Sequence, residues 1–135
     1  MRMILKMQAA GPVLYAGISG ELRMDRAKAL YRQVLDEYGR IAASGILIDC
    51  RDLRGTLTPL QRYELGVHLF DSQMEILEAG GAAPRIVIVA LPPLFDLGML
   101  MESVAVNRGA QFRAVEALEE AAQWLGVEPS LLAGG

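Results

Sequence analysis

Two short runs, GILIDC at 45–50 and RIVIVAL at 85–91, are apolar at almost every position. A strand with one wet face alternates apolar and polar residues, whereas a strand roofed by helices on both faces does not need to. The runs therefore specify parallel strands inside an α/β domain, and parallel neighbours must be joined by crossovers, normally helices.

The rest of the chain supplies the remaining elements. Met1, Met3, Leu5 and Met7 alternate with Arg2 and Lys6, which predicts a first strand. Gly11-Pro12 turns it into VLYAGIS, its antiparallel partner, which ends at Gly20. From Met24 the period lengthens: Ala27, Leu30, Tyr31, Val34, Leu35, Tyr38, Ile41 and Ala42 form one face and Arg26, Arg32, Asp36, Glu37 and Arg40 the other, an amphipathic helix stopped by Gly45. A second helix starts near Thr58 and a third follows Pro93, ending around Asn107-Arg108-Gly109. QFRAV is a short strand, and EALEEAAQWL a last helix with Ala117, Ala121, Trp124 and Leu125 inward. The predicted order is β-β-α-β-α-β-α-β-α, a mixed sheet of about five strands with four helices. It makes one domain over 1–135, with the tail fraying after about residue 128.

Composition excludes several functions. The chain is 53% apolar and 21% charged over 135 residues, enough to bury a core. A net charge of −3 and 6% aromatic residues do not suit a nucleic-acid partner. Cys50 is the only cysteine and His68 the only histidine, so neither a disulfide nor a structural metal is expected, and no cofactor motif is present. Lys6 and Gln8 break the N-terminal apolar run, and Ile86 to Phe95 is about half the ~20 residues of a spanning helix. The expectation is a cytoplasmic protein, not integral to a membrane.

With that order in place, ILIDCRDLRGTLTPLQRYELG, RIVIVALP, VAVNRGAQFRAV and EALEEAAQWL are similar to the SpoIIAA-like offshoot of the STAS fold, over about Gly45 to Leu125. STAS domains occur in sulphate transporters and anti-sigma-factor antagonists, and the offshoot also resembles lipid-binding CRAL-TRIO domains. The resemblance implies a non-enzymatic regulatory or protein-interaction domain. In the family's founding members a phosphorylatable serine follows an aspartate just before the helix after the central strand. That serine falls at Thr58, and the pair here is Leu57-Thr58, without the acidic neighbour.

The corner Ile48 to Gly66, IDCRDLRGTLTPLQRYELG, is the first candidate site. Thr58-Pro59-Leu60-Gln61 has the layout of a helix start: threonine caps, proline fits the first turn, and glutamine reaches back to the cap amide. The same spot offers an anion or a phosphate a positive helix end, with Arg51, Arg54 and Arg62 close in sequence and Asp49 ending the central strand. Cys50 is expected to be a small buried hydrophobe. His68 shares a helix face with Glu64, Asp71 and Glu75, which is read as a solvated acidic face and not a metal site. No nucleophile–base pair is identifiable, so no catalytic residues are assigned.

A second feature is an excess of apolar surface. On the helix from Pro59, residues Leu60, Tyr63, Val67, Phe70, Met74 and Leu77 make a complete inward stripe, while Leu65, Leu69 and Ile76 lie almost opposite. On the next helix Leu97, Met101 and Val104 form one stripe and Phe95, Met99 and Val106 another. Two uses compete. One is a two-fold homodimer, or a regulatory protein partner, covering Leu65, Leu69, Ile76, Phe95, Met99 and Val106. The other is an apolar pocket there for a lipid or small hydrophobic molecule.

Overall fold

The computed structural model describes residues 2–80, 84–92, 94, 96, 99, 102, 103, 106 and 111–133. Strands β1 (Ile4–Ala10), β2 (Val13–Glu21), β3 (Gly45–Arg54), β4 (Arg85–Val89) and β5 (Phe112–Val115) form one sheet in the order β1-β2-β3-β4-β5. The β1–β2 pair is antiparallel and the other three pairings are parallel, so the sheet is mixed as expected. Helix α1 (Met24–Ile41) joins β2 to β3 and α2 (Pro59–Glu78) joins β3 to β4. Helical residues between 94 and 106 precede β5, and α3 (Leu118–Leu125) follows it.

The two continuous apolar runs are β3 and β4, and the reason for their composition is visible in the layers. Ile46, Ile48, Ile86 and Ile88 face α1 and α2, packing with Leu30, Val34 and Leu35. Leu47, Val87 and Val89 point the other way, against Ala121, Ala122 and Leu132. Over residues 46–48 and 86–89 both faces are covered, whereas the far end of β3 is open at Arg51, Asp52 and Arg54.

Three local details go beyond the sequence reading. Helix α1 ends at Ile41 with Ala42, not a glycine, in the left-handed conformation (φ 53°), and Gly45 opens β3 instead of closing the helix. In the tail, Ser130–Ala133 form a short helix, α4, and Leu132 is buried under the sheet.

The third detail is the face of α2. Leu65 and Leu69, expected on the surplus stripe, are 5% and 6% exposed and belong to the core, with Ile76 packed against it. Leu60 and Tyr63, expected inside, are 66% and 55% exposed. The helix is thus turned with its sparser apolar stripe inward. That stripe is completed by two buried polar residues, Ser72 and Gln73. Ser72 Oγ donates to the His68 carbonyl at 2.9 Å and Gln73 Nε2 donates to Tyr31 Oη at 3.4 Å, so the inward face carries polar groups that periodicity counts as outside.

Candidate functional site

The corner after β3 begins with an irregularity in strand pairing. Gly17 pairs with Asp49 but Ser19 pairs with Asp52, so two β3 residues, Cys50 and Arg51, oppose the single residue Ile18. This β-bulge changes which side chains share a face. Cys50 and Leu53 both enter the core under α1 and α2, while Asp49 and Asp52 line one hollow on the opposite face.

Asp49 is almost fully buried, and each of its oxygens is satisfied. Oδ1 accepts from the Arg51 backbone amide at 3.1 Å and from Arg51 Nε at 2.9 Å. Oδ2 accepts from Arg51 Nη2 at 2.8 Å and from Tyr15 Oη at 2.5 Å. Burial alone would raise the Asp49 pKa, but the Arg51 guanidinium, the Tyr15 hydroxyl and the Arg51 amide outweigh it and hold the carboxyl below its usual range. Burial and the adjoining carboxylate push Tyr15 up to about 12, which keeps its hydroxyl protonated as the donor. The sequence places Asp49 at the end of the central strand, where a carboxylate can accept from loop amides. The amide is there, but the larger partners are a guanidinium two residues on and a tyrosine across the sheet.

Cys50 is buried, and desolvation followed by the Asp49 charge raises its thiol to about 12. It behaves as the small hydrophobe expected, with no thiolate available at neutral pH.

Thr58 sits at the start of α2 in a reciprocal capping box. Its Oγ1 accepts from the Gln61 amide at 3.2 Å, and its own amide donates to Gln61 Oε1 at 3.0 Å. The arginines do not converge on it. Arg62 donates from Nε to the Leu57 carbonyl at 3.0 Å and from Nη2 to Thr56 Oγ1 at 3.2 Å, clamping the loop just before the cap. Arg54 Nη1 donates to the Arg51 carbonyl at 3.2 Å, and Arg51 itself is committed to Asp49. Of the three cations, Arg62 is tied to the residues next to Thr58.

The inward face of α2 borders an apolar cavity of about 70 Å³, lined among others by Tyr31, Cys50, Leu53, Leu65, Leu69 and Leu94. Leu65 and Leu69 therefore line an interior space and are not available on a dimer surface. Met99 and Val106 are exposed, at 44% and 52%, whereas Phe95, Leu97, Met101, Val104 and Asn107 to Gly109 lie outside the described residues. Glu75 pairs with Arg32 of α1 at 3.1 Å, so the face carrying His68 is partly an α1–α2 contact. Among the described residues no group of three His, Cys, Asp or Glu side chains is arranged to hold a metal, and no helix is long and apolar enough to cross a membrane.

No family model matches this chain, and no curated protein matches it. Among solved structures it is similar to a serine-to-glutamate variant of RsbS from Moorella thermoacetica, at 14% sequence identity and a TM-score of 0.51, with 100% of each chain covered. Such identity speaks to architecture alone. With strands β1 to β5 in one mixed sheet and helices on both faces, the chain has the STAS fold.

Proposed function

We propose that this chain is a non-catalytic regulatory domain that acts through protein contacts, and that its contact surface is the outward face of α2, used first to form a two-fold homodimer. The observation that carries this reading is the exposure of Leu60 and Tyr63, two large apolar side chains one turn apart at the start of the helix. Val67 and Met74 continue the same stripe and are only partly covered. A two-fold axis beside this helix would bury the stripe twice with one set of residues, as closed dimers commonly do. Met99 and Val106 are further exposed apolar residues that such an interface could enlist.

Thr58 lies at the head of the same stripe, three residues before its capping partner Gln61 and five before Tyr63. A phosphate or other anion there would meet the free amides of α2 and lie next to the loop held by Arg62. The proposal gives Thr58 the role of modulating contacts made by Leu60 and Tyr63. Replacing Leu60 or Tyr63 by glutamate and measuring the mass by light scattering tests the reading: the variants should be monomeric while the parent is dimeric.

A second reading is favoured by the apolar cavity. Its wall is almost wholly hydrocarbon, as a site for a small hydrophobic molecule requires. At about 70 Å³ it is well below the ~300 Å³ at which drug-sized ligands are accommodated, so a lipid would enter only if α2 or the segment after Pro92 moved outward. Native mass spectrometry of gently purified protein checks this reading through the presence or absence of a bound lipid mass.

A further inference from the structure

The sheet face opposite α1 and α2 is only partly roofed. Among the described residues, α3 packs over β4 and β5, and α4 reaches the β1–β2 turn, where Leu131 lies against Gly11. Farther along β1, β2 and β3 no described helix lies over this face, and the strand register lays out its side chains in three cross-strand rows: Gln8, Tyr15 and Leu47; Lys6, Gly17 and Asp49; Ile4, Ser19 and Asp52. The middle of this grid is a glycine. The Tyr15 ring leans toward it, since a Cβ on Gly17 would stand 3.2 Å from Tyr15 Cε1, and the remaining space is a hollow of about 290 Å³ with both polar and apolar lining. Lys6 and Gln8 form its outer wall, Gly17 and Ser19 its floor, and Asp49 and Asp52 its inner wall.

The charges in this hollow are not equivalent. Asp49 is neutralised by its two-pronged bond to Arg51, which leaves Lys6 on one wall and Asp52 on the other. Neither has an ion-pair partner among the described residues. Adjacent strands are about 4.8 Å apart, so the two walls, two strands apart, stand roughly 10 Å from each other at the backbone. Asp52 reaches this face only because the bulge at Cys50 and Arg51 turns it there. Lys6 shares its row with Gly17 and Asp49, and Asp52 sits one row along beside Ser19, so the two opposite charges stand diagonally across the glycine floor.

We propose that this hollow is a binding site for a small zwitterion of the size of a free amino acid, with its carboxylate on Lys6 and its ammonium on Asp52. Its volume lies at the lower end of small-molecule sites, suited to a single compact metabolite. The opposed charges favour a molecule carrying both signs: a simple anion gains from Lys6 but is repelled by Asp52, and a simple cation meets the reverse. Gln8 and Ser19 supply a side-chain amide and a hydroxyl for the remaining polar atoms of the ligand.

The test is a ¹H–¹⁵N NMR titration of the full chain with each standard amino acid at millimolar concentration, with acetate and methylammonium as single-charge probes. At least one amino acid should shift the amides of Gly17, Ser19 and Asp52 saturably, while neither single-charge probe does so in the same range. Lys6→Met and Asp52→Asn, both at the surface, should each weaken that binding by about tenfold with an unchanged fold spectrum. Absence of shifts with every amino acid, the same shifts with acetate alone, or full binding retained in Asp52→Asn would overturn the proposal. Leu60→Glu should bind as the parent does, so the outcome is separate from that of the dimer interface.

Discussion

Tyr15 and Asp49, thirty-four residues apart, meet across the β2–β3 pair through a 2.5 Å hydrogen bond, and Arg51 closes the other side of the same carboxylate. The carboxylate is buried while the guanidinium is 42% exposed at its side chain, so solvent screens part of the pairing. Asp49→Ala leaves the arginine and tyrosine without their acceptor and should cost about 1–3 kcal/mol in urea denaturation, whereas Tyr15→Phe should cost about 1 kcal/mol.

The same pair sets an acid limit. Because the folded pKa of Asp49 is depressed, the unfolded chain binds a proton first as pH falls. The stabilisation is complete above the unfolded carboxyl value of about 4 and disappears as pH drops through the lower folded value. Urea midpoints measured between pH 6 and pH 3 should show this loss in the parent and a shallower one in Asp49→Asn.

His68 acts in a higher range. Its Nε2 is buried without a partner among the described residues, and its pKa is lowered by desolvation, then by Lys28 and Arg32 of α1, against the opposing pull of Asp71 and Glu75. The folded state therefore resists protonation, and stability present at neutral pH should decline as pH falls below the unfolded histidine value of about 6.5. Thermal midpoints at pH 7.5 and pH 5.5 should differ more in the parent than in His68→Gln.

At the start of α2, Thr58→Ala removes the acceptor for the Gln61 amide and should destabilise by about 1 kcal/mol, while Thr58→Ser retains the cap. Equilibrium urea unfolding measures both. A loss in alanine and none in serine would establish the hydroxyl, not its methyl neighbour, as the stabilising group.

Cys50 offers a probe of opening. With its thiol raised to about 12 and buried against the cavity under α2, alkylation by iodoacetamide at pH 8 should be slow in the native state and rapid in urea. Fast labelling in native buffer would reveal frequent outward movement of the cavity wall, as entry of a lipid requires.

How much of this was readable from the chain differs by residue. Ile46 to Cys50 and Ile86 to Val89 declared themselves, because burial on both faces leaves a run with almost no polar break. Thr58 and Gln61 were also legible, since a capping box is local and its spacing is fixed. The α2 face was not. It has two apolar stripes, and the one that turned inward includes Ser72 and Gln73, whose partners are His68 in the same helix and Tyr31 in another. The spacing of Leu65, Leu69, Ser72 and Ile76 by four, three and four is an inward pattern once serine is allowed inside. Tyr15 was missed as the partner of Asp49 because register across strands and the bulge at Cys50 and Arg51 are tertiary facts with no local signature.

If the outward face of α2, beginning at Leu60 and Tyr63, joins two copies of the chain, the mass in solution must show it. Light scattering coupled to size-exclusion chromatography, run on the parent and on Leu60→Glu/Tyr63→Glu, decides the matter. The parent should have twice the 14.7 kDa of the chain, and the variant should be folded at the single-chain mass. A parent that elutes as a monomer at every concentration, or a folded variant that keeps the doubled mass, would refute the dimer.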